Sequence, residues 1–114
     1  MSKAISDRIR NSKKFVRVKQ SLIDQLAEKG ADIPAYTDLI DDYMSFWVAK
    51  EMTKIDIATR GVYISYNNGG GQTGTKENPS LAYQIKISSQ MIKILQQLKL
   101  DVDEAGTGDV DDEL

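Results

Sequence analysis

Five basic side chains near the start of the sequence have the type and spacing to bind phosphate groups. On a helical wheel Arg10, Lys13, Lys14 and Arg17 share one face, and Lys3 supplements them. A row of cations can follow a nucleic-acid backbone without contacting bases. We therefore predict salt-sensitive DNA binding by these residues, and the alternative is an ordinary solvated helix face.

Acidic side chains are concentrated at the other end of the sequence. Residues 1–20 have a net charge of +6 and residues 21–100 of −1, whereas residues 101–114 hold seven acids and no base. This last segment has no hydrophobic period, so we predict a flexible acidic tail. Its charge suits either a basic protein surface or screening within the molecule.

Catalysis is disfavoured by the residue types that the sequence lacks. There is no histidine and no cysteine, which removes the commonest general base and the thiolate nucleophile. Gly69 and Gly74 have the spacing of a phosphate-binding loop, but Thr75 precedes Lys76, and Glu77 stands where a magnesium-binding hydroxyl is required. We predict a protein that is not an enzyme and that needs no cofactor.

A calcium loop in the acidic segment is also a poor match. Asp101, Asp103, Asp109 and Asp112 fall near ligand positions of such a loop, but Ala105 replaces one ligand. Asp112 is also too short for the usual bidentate glutamate. We predict no metal site.

The sequence pattern around these residues is mainly helical. It predicts a mainly α fold with one domain over residues 1–100. A first helix is expected from Ala4 to Lys29, ended by Gly30. A second is expected from a start at Asp32, Pro34 or Thr37 to about Thr59, and the short loop between the two favours an antiparallel helical hairpin. The apolar half of the first helix is formed by Ile5, Ile9, Phe15, Val16, Val18, Leu22, Ile23 and Leu26.

A glycine-rich turn separates the second helix from a third. Val62, Ile64 and Tyr66 alternate with polar or exposed positions, as in a half-buried strand, and predict a β-hairpin over about 62–76. Asn78 followed by Pro79 predicts a helix start, and the third amphipathic helix runs to about Leu100. The hairpin tyrosines can pack on the helices, contact a neighbour or contact DNA.

The apolar stripe of the second helix is wider than one partner helix requires. We therefore predict that part of it meets another subunit, although core packing within one chain explains it equally. The residues expected at this subunit interface lie on the second and third helices: Phe46, Trp47, Met91, Ile94 and Leu98.

Binding to a membrane surface is a further alternative for the basic amphipathic segment 1–29. It is disfavoured because Arg8 and Lys19 lie within the apolar half of that helix. No apolar run is long enough to cross a membrane, and the start of the sequence lacks the core of a signal peptide, so we expect a cytosolic protein.

Several of these features together resemble the small subunit of bacteriophage terminases. They are Tyr43 and Trp47, the pair Gly61-Val62, the glycine turn, and the run Lys76-Glu77-Asn78-Pro79 before an amphipathic helix. The resemblance covers roughly Leu22 to Leu100. It departs from the family pattern at Leu98-Lys99-Leu100, where Leu-Gly-Leu is expected.

The resemblance implies a non-catalytic subunit that recognises viral double-stranded DNA as a homo-oligomeric ring. Such a ring presents DNA to the large terminase subunit, the ATPase and nuclease of genome packaging, in the cytoplasm of the infected bacterial host. The acidic tail itself suits contact with a basic motor protein, so we predict that it contacts the large subunit through Asp109, Asp111, Asp112 and Glu113. The alternative function is an oligomeric protein-interaction adaptor that does not bind nucleic acid.

Overall fold

The computed structural model describes residues 3–100, which form four helices and one β-hairpin. Their order is α1 (Lys3–Arg10), α2 (Lys13–Glu28), α3 (Pro34–Arg60), β1 (Tyr63–Gly69), β2 (Gln72–Glu77) and α4 (Pro79–Leu98). The mainly α class and the β-hairpin are therefore confirmed. The predicted acidic tail lies outside the described residues.

The first predicted helix is in fact two helices, so the prediction of one helix from Ala4 to Lys29 was wrong. Ser12 has extended backbone angles, its Oγ accepts a hydrogen bond from the amide of Phe15 at 3.1 Å, and it donates one to the carbonyl of Ile9 at 2.7 Å. Serine side chains compete in this way with the helical backbone and favour a cap. The chain consequently ends α1 and starts α2 at this point.

The long helix α3 is the centre of the packing, with α1 and α2 against it and α4 against it as well. Its buried residues Ile40, Tyr43, Met44 and Val48 belong to the chain's own interior. The core that they join is completed by residues of α2 and α4 and by the residue that follows α4: Val18, Leu22, Leu26, Met91, Ile94, Leu95, Leu98 and Leu100. Helices of the same chain thus account for the wide apolar stripe.

Helix α2 runs antiparallel to the first half of α3, as the short loop predicts. The ring centroids of Phe15 and Trp47 are 5.9 Å apart in an edge-to-face arrangement, and Lys19 is 3.7 Å from Asp41. Residues further along α2 therefore contact residues earlier in α3, so the two helices run in opposite directions. The helical hairpin is confirmed.

The ends of α2 and α4 have the same hydrogen-bonded form. After α2, the amide of Ala31 donates to Leu26 and that of Gly30 to Ala27; after α4, the amide of Leu100 donates to Leu95. Each is a Schellman motif, which needs one residue with positive φ. Gly30 fills that role after α2, and Lys99 fills it after α4, with a φ of 57°. The ammonium group of Lys29 donates to the carbonyl of Lys99, which joins the two ends.

A polar cluster, in which Asp56 and Asn78 are buried and Arg60 is exposed, joins the end of α3 to the start of α4. Asp56 accepts from Arg60 through both carboxylate oxygens, at 2.6 and 2.8 Å, and from the hydroxyl of Ser80 at 2.6 Å. Asn78, whose exposed fraction is 0%, caps α4 by accepting from the Ser80 amide and donates to the carbonyl of Gly61. Hydrogen bonds from Arg60 and Ser80 hold the pKa of Asp56 well below its usual range.

The β-hairpin projects from this cluster and pairs in the antiparallel register Tyr63 to Glu77 and Tyr66 to Gly74. Three successive glycines with positive φ form its tip. Only Ile64 of the predicted inward-facing residues is half-buried, and Val62 and Tyr66 are exposed, so the expected half-buried strand was wrong. The Tyr66 ring lies across Gly74 of the opposite strand rather than on the helices.

Replacing Lys99 by glycine is expected to stabilise the fold. A non-glycine residue in the left-handed region costs about 1–2 kcal/mol. Glycine removes this cost but loses more backbone entropy on folding, which offsets part of the stabilisation. We expect a net stabilisation of about 1 kcal/mol, or a Tm rise of about 4–8 °C, measured by thermal unfolding. Lys93→Gly, in the interior of α4, is the control and should destabilise by about 1 kcal/mol. Equal effects of the two changes would contradict the assignment of the Schellman motif.

The Asp56 cluster is expected to make stability depend on pH in the acid range. Because the folded protein holds the pKa of Asp56 below the unfolded value of about 4, the stabilisation is complete above that pH and is lost as the pH falls below it. The difference in unfolding free energy between the unsubstituted protein and Asp56→Asn should therefore shrink below pH of about 4. Urea titrations at several pH values measure it, with exposed Asp42→Asn as the control. A difference that stays constant with pH would argue against the cluster.

Candidate nucleic-acid and subunit interfaces

The start of α2 combines a helix N-terminus with cationic side chains. Ser12 caps the helix, Lys13 and Lys14 occupy its first turn, and that turn contains no acid. Lysines at a helix N-terminus interact unfavourably with the helix dipole and lower helix stability by about 0.3–1 kcal/mol each. A bound phosphate reverses this balance, because it is attracted both by the lysines and by the positive end of the helix dipole.

The structure separates the five predicted DNA-binding residues into two groups. Lys3 and Arg10 belong to α1, where Lys3 pairs with Asp7 at 3.2 Å and Arg10 is exposed at the last helical position. Lys13, Lys14 and Arg17 belong to α2, and Lys14 is half-buried. The break at Ser12 means that the two groups do not share the face of one continuous helix.

A shallow groove follows the outer side of α2 and contains Lys13 and Arg17 near its start. Asp24 and Glu28 line the same groove towards the end of the helix. The groove is therefore basic in its first half and acidic in its second half. Val16, which sequence periodicity placed on the buried side, also lines it and is 57% exposed.

The residues predicted at the subunit interface lie largely inside the chain. Met91, Ile94 and Leu98 are buried in the core, and Phe46 and Trp47 are half-buried and pack against that core. Packing within one chain accounts for the apolar character of all five. Their part in subunit contact stays a prediction.

Another apolar row, on the outer side of α4, is left uncovered. Ile85 and Ile92 are 73% and 47% exposed and lie seven residues apart, with the small Ser88 and Ser89 between them in one shallow groove. Lys50 of α3 lines the same groove, and burial lowers its pKa, with Lys54 adding to the effect and Glu51 opposing it. The sequence contained the signal for this row, since the apolar stripe of α4 is broad and includes Ile85 and Ile92 at its edge.

Other chemical sites are absent from the part of the chain that the structure describes. Residues 3–100 contain no group of three acids that could hold a metal ion. None of the helices in the same range is long and apolar enough to span a membrane. The predicted contacts of Asp109, Asp111, Asp112 and Glu113 fall outside it.

Comparison with known families adds an observation independent of this geometry. Residues 19–106 match the family model described as phage terminase, small subunit. The chain belongs to this family. No curated protein and no solved structure matches it significantly. The match confirms the resemblance seen in the sequence and extends a few residues beyond it at each end.

Membership assigns this terminase small subunit a role in packaging the phage genome, and it acts within the host cell. The family is a non-catalytic packaging subunit, so the protein is not an enzyme. The matched residues begin after Arg17 and end before Asp109. The basic start of α2 and the last acids of the sequence are therefore features of this chain beyond the matched region.

Proposed function

We propose that this terminase small subunit binds double-stranded phage DNA through the start of α2, assembles into a homo-oligomeric ring and recruits the large terminase subunit in the host cytoplasm. The observation that carries the proposal is the cationic first turn of α2, where Lys13 and Lys14 lie at the positive end of the dipole of a capped helix. This arrangement binds anions at a small cost in helix stability.

DNA binding by one subunit rests on few contacts. Lys13 and Arg17 are exposed on one groove of α2, and Arg10 is exposed at the end of α1, so each subunit reaches the phosphates with about three cations. Such binding is weak in a single copy. A ring repeats the contacts, and the high effective concentration of the second and later contacts strengthens the whole assembly.

Self-association is best supported by the outer row of α4. Ile85 and Ile92 are separated by one heptad and flanked by serines, which allow close approach of a second helix. Phe46 and Trp47 keep part of their surface beside the core. The buried Met91, Ile94 and Leu98 hold α4 on α3 and so present the outer row.

Recruitment of the large subunit is assigned to the acidic residues of the segment 101–114. Seven acids without a base give this segment a strong attraction for a basic protein surface. We assign the contact to Asp109, Asp111, Asp112 and Glu113. The alternative function, an oligomeric adaptor without nucleic-acid binding, would show the same self-association and no salt-dependent DNA binding.

The variant Arg10→Gln with Lys13→Gln is expected to weaken DNA binding. Each lost phosphate contact lowers the slope of log affinity against log salt by about 0.9, so the slope should fall by about 2 for each bound subunit. Fluorescence anisotropy of a labelled duplex between 50 and about 200 mM salt measures it.

The matched control is Lys76→Gln with Lys86→Gln, which removes two exposed lysines from the hairpin and from α4. This control should change neither the affinity nor the slope appreciably. If the unsubstituted protein forms a ring but binds no duplex at low salt, the adaptor function replaces the DNA-binding one.

The variant Ile85→Ser with Ile92→Ser is expected to weaken self-association at least about tenfold, since central apolar contacts dominate the stability of interfaces. Native mass spectrometry over a dilution series measures the subunit number and its dependence on concentration. The control Ile33→Ser with Val62→Ser removes two exposed apolar side chains elsewhere and should leave the oligomer intact. Unchanged assembly of the α4 variant would refute this interface.

A further inference from the structure

The charge of the described part differs sharply from that of the whole chain. Residues 3–100 hold fifteen bases and ten acids, a net charge of +5, whereas the complete sequence has a net charge of −2. The seven acids of residues 101–114 make the difference. An acidic segment that is covalently joined to a basic domain is held near it at high effective concentration, so a contact between the two is favoured.

The acidic segment leaves the fold beside the end of α2. The Lys29 ammonium donates to the carbonyl of Lys99, and Leu100, the last described residue, is buried in the core. The segment therefore starts next to the acidic half of the α2 groove, defined by Asp24 and Glu28. The basic half, with Lys13 and Arg17, lies at the far end of the same helix.

The distances allow the acids to reach the basic half. Sixteen residues of α2 span about 24 Å, and the nine residues from Leu100 to Asp109 extend up to about 30 Å. Arg17 lies eleven residues before Glu28, the last residue of α2, a distance of about 16 Å, so Asp109 can reach its level. Ala105 to Gly108 are uncharged and separate the first three acids of the segment from those of 109–113.

We propose that residues 109–113 dock on the basic half of the α2 groove of their own chain and compete there with DNA. The inference rests on the proposed function, because it assigns a second ligand, an acidic peptide, to the same cations. Asp109, Asp111, Asp112 and Glu113 pair with Lys13 and Arg17, which line this half of the groove, and Val110 meets the exposed Val16. A basic surface on the large subunit would withdraw the acids and free the groove for DNA.

Zero-length carbodiimide cross-linking of the unsubstituted protein tests the docking without DNA. This reagent joins carboxylates to lysines that touch them, and the peptide 100–114 contains no internal trypsin site. We expect links from residues 109–113 to Lys13 at low salt, and their loss at about 0.5 M salt, where surface charges are screened. Lys76 and Lys86, which are also exposed, are the internal controls.

Equal linking to Lys76 and Lys86 would overturn the docking, whatever the protein does with DNA. Links that form only between differently isotope-labelled chains would overturn docking within one chain. Added duplex should suppress the links to Lys13, and links that persist at saturating duplex would overturn the competition.

A charge variant tests the competition from the DNA side. Asp109→Asn, Asp111→Asn, Asp112→Asn and Glu113→Gln together should raise DNA affinity about tenfold at low salt, by removing a tethered competitor. The control changes four exposed acids of the described part by the same net charge: Asp32→Asn, Asp38→Asn, Asp42→Asn and Glu77→Gln. An equal gain in DNA affinity for the control variant would show that net charge alone causes the effect. That result would overturn the proposed competition. If no variant binds DNA, the proposed function fails while the cross-links still decide the docking.

Discussion

The structure depends on covering α3 with helices of its own chain on more than one side. A fully buried leucine or isoleucine is worth about 1.5–3 kcal/mol relative to an exposed one, while an exposed ion pair such as Lys19 with Asp41 belongs to a class worth about 0–1. The contacts of Leu22, Leu26, Ile40 and Met44 therefore outweigh the surface charges. They hold α2 and α4 on α3 and leave the outer sides of both helices free for binding.

Whereas apolar side chains hold the helices together, polar side chains end the helices and direct the chain between them. Ser12 stops α1 and starts α2, and the cluster of Asp56, Arg60 and Asn78 turns the chain from α3 into the hairpin and back into α4. Each buried hydrogen-bonding group in this cluster has a partner, as burial requires. Together these junctions determine where the cationic start of α2 and the outer row of α4 face.

Opposite charges are concentrated at the two ends of the sequence. The bases are concentrated before the family-matched region and the last acids after it, yet the bond between Lys29 and Lys99 brings the ends of α2 and α4 together. The competition that we propose between DNA and the acidic segment would make DNA binding responsive to any partner that takes up the acids.

Features that depend on neighbouring residues were readable from the sequence. The Schellman glycine at position 30, the start of α4 at Asn78-Pro79, the glycine turn and the antiparallel helix pair follow from local hydrogen bonds, φ preferences and short loops. The same local logic explains why a glycine was expected at position 99, where Lys99 has positive φ. The family, and with it the non-catalytic role, was also evident from these motifs in order.

Burial could not be read in the same way, because it depends on which elements pack together. Periodicity gave α4 one broad apolar stripe, and only its docking on α3 buried Met91, Ile94 and Leu98 while exposing Ile85 and Ile92. The wheel likewise treated residues 4–29 as one helix and placed Val16 inside, whereas the chain forms two helices that are separated at Ser12, and Val16 is exposed. Hydrogen bonds between residues close in sequence determine where helices and strands begin and end. Competition among apolar surfaces that are distant in sequence determines which of these elements pack together.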